Sequence, residues 1–443
     1  MSRLQSLFYG GVLLVTLIAT CSFASDNSGE ELPGVLTLSE GLRAATERNR
    51  LVAIASRAKD IFDADILIAR SRYLPRVDAS LDQTFLAYQP GARLFGGQPV
   101  RTAEKQYFSY GIEVRQTIYD FGARSAQYKA ARTALDAATL NVERVKNIVA
   151  LDFILAYFDL LEAGKLECVA RSEVERLESH LSTARSLYEE GVITKNDLLQ
   201  AEVRRSDAQQ RLLTVRNLRA VISSRINTLL SRPLTRPVEA VDVKGEVLLE
   251  VDLATAWELA GQQRVELKAL DDEITIAGLE EVARRSEYFP RIIALGGYSY
   301  TENRFQLHED NWALVLGLNV NLFSGGSTKA ELLKIRSRKE QLVEQKKKLL
   351  DDIRLDVERS FLDMKSARER IAVTKDAVSQ AEESLRIDAL RYQEGIGTST
   401  DVLDAITLLT TAETNYYRAL YELRRAHASF LYATGTDLVA AYR

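Results

Sequence analysis

The sequence consists of two similar halves, and this duplication restricts the possible folds more than any other feature. Residues 71–76 read Ser-Arg-Tyr-Leu-Pro-Arg, and they recur 215 positions later as Ser-Glu-Tyr-Phe-Pro-Arg at 286–291. Residues 188–191 recur 204 positions later, at 392–395. The smaller offset means that the first half carries 11 extra residues between its two motifs. Because self-similarity at a fixed offset indicates repeated structural units, both halves should fold alike.

Each half contains a very long stretch without proline, residues 123–231 in the first and 327–435 in the second. Proline breaks helix interiors, so its absence favours long helices. In the final stretch, apolar residues recur every three and four positions, which is the heptad pattern of packed helices. They are Val402, Ala405, Leu409, Ala412, Tyr416, Ala419, Leu423, Ala426, Phe430 and Ala433. A single helix from 123 to about 188 would be about 100 Å long, which predicts a coiled coil or the wall of an extended structure.

Two pairs of segments, about 76–120 and about 291–323, alternate apolar and polar residues with a period of two, which predicts four β-strands. Each strand has the length of a tilted membrane strand. Aromatic residues cluster near the strand ends, as at a bilayer interface. A soluble sheet with one buried face would show the same alternation. In a membrane, four strands are too few to close a barrel, and open edges are not tolerated in lipid. Several chains would therefore have to share one barrel.

The first 24 residues have the pattern of a secretory signal peptide: Arg3, an apolar stretch from Leu7 to Ala19, and a small-x-small site that ends at Ala24. Cleavage there would remove Cys21 and leave Cys168 as the single cysteine. An alternative is that Cys21 is a lipidation site, since Ile-Ala-Thr-Cys loosely resembles a bacterial lipoprotein motif. Both alternatives predict export.

Composition and motifs argue against nucleic-acid binding and catalysis. The net charge of −4 lacks the basic excess of nucleic-acid-binding proteins. The three histidines have no partner at metal-ligand spacing; they are His180, His308 and His427. Residues 325–329, Gly-Gly-Ser-Thr-Lys, lack the spacing of a phosphate-binding loop and favour a strand-to-helix turn. We therefore expect no metal, no cofactor and no enzymatic activity.

Further motifs carry a resemblance to a known family. Residues 116–122 read Gln-Thr-Ile-Tyr-Asp-Phe-Gly, 322–326 read Leu-Phe-Ser-Gly-Gly, and 401–405 read Asp-Val-Leu-Asp-Ala. Together with the repeated Tyr-x-Pro-Arg and Tyr-x-x-Gly motifs, they make the chain similar to the TolC family of outer-membrane efflux channels. The resemblance implies an α+β membrane protein with two structural repeats per chain. It also implies four transmembrane strands in a twelve-stranded barrel shared by a homotrimer, and a long periplasmic helical tunnel.

The resemblance further implies an exit duct of a tripartite efflux or type I secretion system in the outer membrane of a Gram-negative bacterium. Export through it would be passive. The partners would be outer-membrane lipid, a periplasmic adaptor (membrane fusion) protein, and an inner-membrane RND or ABC transporter. The implied division is a signal peptide (1–24), a first repeat (25–231), an equatorial linker (232–250) and a second repeat (251–443). The alternative is a non-conducting periplasmic coiled-coil protein, which would not need hairpins of membrane length.

The resemblance also assigns roles to residues at the periplasmic gate. Asp401 and Asp404 would form stacked aspartate rings, and positions i and i+3 do share a helix face. Without the resemblance, they are two solvated acids. Tyr392 and Asp197 would make gate contacts. Gly397 stands where the family can carry arginine, so no charged contact is possible there.

The turns between the long helices are candidate docking positions for the adaptor, again by resemblance. An ordinary turn, with glycine present for its backbone freedom, is the alternative. The positions are Gly191, Val192, Thr194, Gly395, Ile396 and Thr398.

Overall fold

A computed structural model of the protein describes residues 35–93, 97, 99–243 and 251–442. The predicted signal peptide, including Cys21, and residues 244–250 of the predicted linker lie outside the described residues. Within the described ranges, no helix combines the length and apolar character needed to cross a membrane.

Helices make up most of the described chain. In chain order they are α1 (Leu38–Arg48), α2 (Arg50–Ser71), α3 (Ala123–Glu189), α4 (Lys195–Leu229), α5 (Leu253–Gln263), α6 (Val265–Arg285), α7 (Ser327–Gln393), α8 (Ser399–Ala433) and α9 (Leu438–Ala441). The strands are β1 (Val35–Leu36), β2 (Arg76–Phe85), β3 (Gly91–Arg93), β4 (Pro99–Arg101), β5 (Gln106–Tyr119), β6 (Glu239–Ala240), β7 (Arg291–Thr301) and β8 (Asp310–Asn319). A short 3₁₀ helix, Ser286–Tyr288, follows α6.

The long helices confirm the duplication. Helices α3 and α7 both have 67 residues, and α4 and α8 both have 35. At 1.5 Å per residue, α3 and α7 are each about 100 Å long. Each begins after a glycine in the left-handed conformation, Gly122 (φ 92°) and Gly326 (φ 86°). These glycines allow the sharp turn from strand to helix. Gly325 and Gly326 form that turn and α7 begins at Ser327, so residues 325–329 make a strand-to-helix turn, as the spacing predicted.

The helices lie side by side in a fixed order. Towards the turns at 190–194 and 394–398, α3 packs on α4, α7 packs on α8, and α3 and α8 join the two pairs. The order is therefore α4, α3, α8, α7. Nearer the sheet, contacts of α2 with α3, α3 with α6, and α6 with α7 give the order α2, α3, α6, α7. In both layers the outermost helices belong to different halves of the chain.

Strands β2, β5, β7 and β8 form one antiparallel sheet in that order. The pairing of β5 with β7 joins the two halves. Within the described ranges, no strand pairs with the outer edge of β2 or β8. The 11 extra residues of the first half fall in the β2–β5 loop, where β3 and β4 form a small hairpin.

A belt of short elements packs against the middle of α3. Strand β1, near the start of the described chain, pairs in parallel with β6. The fully buried Tyr157 of α3 holds both, since the single proton of its hydroxyl is shared between the carbonyls of Val241 (2.6 Å) and Leu36 (3.0 Å). Gly41 brings α1 close to α3, because a Cβ there would collide with the ring of Phe153. The exact domain boundaries stay a prediction.

Candidate channel entrance and lumen

The two turns between the long helices have the same geometry. Gly191 (φ 75°) and Gly395 (φ 72°) are left-handed, and nothing lies within 4 Å of a Cβ placed on either. The Val192 amide donates to the Leu187 carbonyl at 2.9 Å, and the Ile396 amide donates to the Arg391 carbonyl at 3.0 Å. These bonds satisfy carbonyls at the helix ends. The side chains of both residues after the glycines point outward, with Val192 59% and Ile396 71% exposed.

Both helices that follow the turns begin with a capping box. Thr194 accepts from the Asp197 amide at 3.3 Å, and Asp197 accepts from the Thr194 amide at 3.1 Å. In the second half, Thr398 accepts from the Asp401 amide at 3.2 Å, and Asp401 accepts from the Thr398 amide at 3.0 Å. Two of the candidate docking residues and two of the candidate gate acids therefore cap helices. The Thr-x-x-Asp spacing in the sequence is typical of this capping role.

Asp401 and Asp404 are both exposed on the first turns of α8. Hydrogen bonds from the Thr398 backbone and hydroxyl lower the pKa of Asp401, so its carboxyl is ionised at neutral pH. Asp404 makes no ion pair with any residue that the structure describes. Its carboxylate therefore remains available to other groups near this end of the molecule.

Tyr392 and Asp197 lie near each other but are not hydrogen-bonded. Tyr392 is 4% exposed, and its hydroxyl makes no hydrogen bond of ordinary geometry within the described chain. Burial raises the pKa of Tyr392, the adjacent Ser399 hydroxyl lowers it, and the charge of Asp197 raises it. Gly397 packs against the backbone of Tyr392, because a Cβ on Gly397 would lie 3.1 Å from the Tyr392 amide nitrogen. A larger residue at position 397 would press on the end of α7.

A buried histidine joins the two helical pairs, and no motif in the sequence indicated it. Nε2 of His180 on α3 lies 2.9 Å from Oγ of Ser399, the first residue of α8. The His180 ring also lies 5.0 Å from the Tyr392 ring, centre to centre. Burial alone lowers the pKa of His180 to about 4, so the ring is neutral at neutral pH. The contact spans 219 residues, which explains why no local pattern indicated it.

An ion pair and an apolar cluster reinforce this junction. Arg176 on α3 donates two hydrogen bonds to Glu413 on α8, at 2.7 and 3.0 Å, and both side chains are mostly buried. The apolar cluster draws on all four long helices: Val174, Leu177, Ala208, Tyr392, Val402, Leu403 and Ile406. Residues of the first and second halves are thus held together beside the turns.

The sheet separates polar from apolar side chains. Successive side chains of a strand point to opposite faces, and register partners share a face. The more polar face, which lines a cavity of about 500 Å³, carries Asp78 opposite Glu113 and Ser80 opposite Gly111, and also Leu295 opposite Val315. The other face is mostly apolar and aromatic, with Gln83 as a polar member. It carries Val77, Ala79, Leu81, Phe85, Tyr110, Ile112, Val114, Tyr298, Trp312, Leu314, Leu316 and Leu318.

A wall of long helices below a sheet with one polar and one apolar face is the architecture of an export channel protomer. The family model described as "Outer membrane efflux protein" matches residues 41–232 and 258–436, which is most of the chain. The chain belongs to this family. It is an outer-membrane efflux protein with a large periplasmic helical part, and it provides an exit duct. The family consists of transport proteins, not enzymes.

Individual relatives agree with this assignment. Outer membrane efflux protein BepC of Brucella suis is 23% identical over 420 residues, covering 92% of this chain and 88% of BepC. Alkaline protease secretion protein AprF of Pseudomonas aeruginosa is 24% identical over 367 residues, covering 76% and 73%. In fold, the CmeC outer membrane channel of Campylobacter jejuni superposes with a TM-score of 0.79 at 14% identity, covering 90% of this chain and 85% of CmeC.

Proposed function

We propose that three copies of the chain assemble into one duct, in which the four strands of each complete a shared twelve-stranded barrel. Edge strands β2 and β8 are both open, and an open edge in lipid costs unsatisfied backbone hydrogen bonds. Because the two edges differ, contacts between copies would be head-to-tail and close into a ring. The apolar face would contact outer-membrane lipid, and the polar face would line the lumen.

The outermost helices support the same assembly. Exposed apolar side chains line both α4 and α7, which are the outer helices beside the turns. They are Leu199, Val203, Leu213, Leu218 and Val221 on α4, and Leu355, Leu362, Val373, Ile387 and Leu390 on α7. Contiguous exposed apolar rows of this kind mark surfaces that contact another molecule. The α4 edge of one copy against the α7 edge of the next would cover both.

In this assembly the turns form the periplasmic entrance, and Asp401 and Asp404 form its carboxylate rings. Three copies would bring six carboxylates around one axis and favour cations. The closed state would be held within each copy by His180 against Ser399 and by Arg176 against Glu413. With glycine at 397, these contacts replace a charged contact at that position.

A periplasmic adaptor would open the entrance by binding the turns. The exposed apolar residues Val192 and Ile396 favour contact with an apolar partner surface, and Gly191 and Gly395 leave room for close approach. The capping residues Thr194 and Thr398 would present the adjoining helix ends. The inner-membrane partner would be an RND or ABC transporter. The chain itself would then have no catalytic role.

The carboxylate ring is tested by channel block with hexaamminecobalt(III), a trivalent cation, in a planar bilayer. Asp404→Ala is the cleaner variant, since Asp401 also caps α8. We expect the half-blocking concentration to rise about tenfold, because the variant removes one whole ring of charge. Asp63→Ala, an exposed acid on α2 far from the turns, should leave block unchanged. Equal block of Asp404→Ala and the unmodified channel would place the cation site elsewhere.

A further inference from the structure

A cluster of five arginines lies where the sheet meets the helices, and neither the gate nor the lipid face accounts for it. An open cavity of about 720 Å³ is lined by Arg72, Arg76, Arg115, Arg124 and Arg291, with Asp120 as its one carboxylate. The cluster draws on the end of α2, the strands β2, β5 and β7, and the start of α3. Both halves of the chain therefore contribute to it.

Three of the arginines lie on the polar face of the sheet. Arg76 is the register partner of Arg115, and Arg291 shares the parity of Leu295, which pairs with Arg115. Two like charges directly opposite each other destabilise a sheet unless other groups compensate them. The polar face is the one that lines the lumen in the proposed assembly, so these guanidinium groups would project into the duct.

Carboxylates neutralise only part of the cluster. Asp78 pairs with Arg76 at 2.9 Å, and Glu113 pairs with Arg115 at 2.7 Å. Arg124 is mostly buried and pairs with Asp120 at 2.7 Å. The remaining two arginines have no carboxylate partner among the described residues.

Those two arginines are Arg72 and Arg291. Arg72 donates to the neutral amide of Gln127, and the side chain of Arg291 makes no hydrogen bond or ion pair within the described chain. Both are exposed. Among the described residues, each protomer therefore presents to the same cavity two guanidinium groups without an ion-pair partner.

We propose that Arg72, Arg76, Arg115 and Arg291 form an anion-binding collar, which holds carboxylate or phosphate groups of the cargo as it passes from the helical tunnel into the barrel. Guanidinium groups bind such groups through paired, charge-assisted hydrogen bonds. Arginine rings in pores select anions in the same way. This inference rests on the proposed trimeric duct. Acidic cargo would thus meet carboxylates at the entrance and arginines at the junction of the tunnel and the barrel.

The test uses the full-length protein in neutral phosphatidylcholine bilayers, with inorganic pyrophosphate as the probe. We expect pyrophosphate to block the unmodified channel, and the half-blocking concentration to rise at least about tenfold in Arg72→Gln/Arg291→Gln, since two charged hydrogen-bond donors are lost. In a KCl gradient, the reversal potential of the variant should shift toward cation selectivity. Arg57→Gln, which removes an 86% exposed arginine paired with Asp60 outside the cavity, should match the unmodified channel.

Further measurements distinguish loss of the collar from a folding defect and from binding of lipid headgroups. Arg72→Lys/Arg291→Lys keeps the charge and should restore most of the block, which guards against a folding defect in the glutamine variant. Unchanged pyrophosphate block and selectivity in the glutamine variant would overturn the collar, even while block by the trivalent cation still depends on Asp404. A difference between variant and unmodified channel only in bilayers with phosphatidylglycerol would also overturn it, because the arginines would then bind lipid headgroups.

Discussion

His180 is the residue whose chemistry depends most on its place in the fold. Its ring projects from α3 and is buried against Tyr392 and Ser399. Burial holds the pKa of His180 at about 4, below the ordinary value of 6.5, so the ring is neutral at neutral pH. The unfolded or opened state therefore binds a proton more readily than the closed state. The stabilisation is complete above pH 6.5 and is lost as the pH falls from 6.5 to 4, and it amounts to about 3 kcal/mol.

Because protonation of His180 destabilises the closed state, we predict that the entrance opens as the pH falls. Single-channel recordings from pH 7.5 to 4.5 should show the open fraction rising as the pH falls below 6.5. His180→Asn should flatten most of that dependence, while His308→Asn, in the exposed β7–β8 loop, should preserve it. His427 is also buried with a lowered pKa, so a small residual slope is expected. An unchanged pH profile in His180→Asn would exclude the His180 contact from gating.

Between helices, the ion pair of Arg176 and Glu413 ties α3 to α8 beside the entrance. Charge-assisted hydrogen bonds of mostly buried groups contribute about 1.5–3 kcal/mol. Arg176→Gln and Glu413→Gln should therefore each raise the open fraction, and the double variant should add little to either. Conductance recordings of the four proteins make a double-mutant cycle. Strictly additive effects would show that the pair does not hold the closed state.

The matched pair Arg370 and Glu422 supplies the control for this cycle. It lies 2.7 Å apart between α7 and α8, inside one helical pair, and both side chains are about half exposed. Exposed ion pairs contribute about 0–1 kcal/mol. Removing it should leave the open fraction near that of the unmodified channel.

The helices and strands themselves could be predicted because the sequence patterns that indicate them are local. The absence of proline from 123–231 and 327–435 and the glycines at the turns delimit α3, α4, α7 and α8. The period of two located the four strands of the main sheet. The β3–β4 hairpin is three residues per strand, too short for a period to show.

The contacts of the candidate site could not be predicted, because they join distant parts of the chain. His180 meets Ser399 across 219 residues, and Arg176 meets Glu413 across 237. Both depend on the packing of α3 against α8, which no single segment encodes. The capping boxes at Thr194 and Thr398 are the exception, since the Thr-x-x-Asp spacing is visible in the sequence.

For the whole molecule, the two open edges of each layer belong to opposite halves of the chain: β2, α2 and α4 on one side, and β8 and α7 on the other. A duplicated chain of this kind presents two different but related surfaces. Such surfaces complete a closed ring from identical copies without leaving an edge in lipid. The duplication that dominates the sequence is thus also the basis of the proposed assembly.

Planar-bilayer recording of the purified protein beside Arg176→Gln shows whether the protein is a conducting duct that is closed at its helical end. We expect discrete conductance steps in both proteins, with a larger open fraction in the variant because a contact between α3 and α8 is lost. A protein that inserts but never conducts, in either form and also with Asp401 and Asp404 replaced by alanine, would instead be a non-conducting coiled-coil protein.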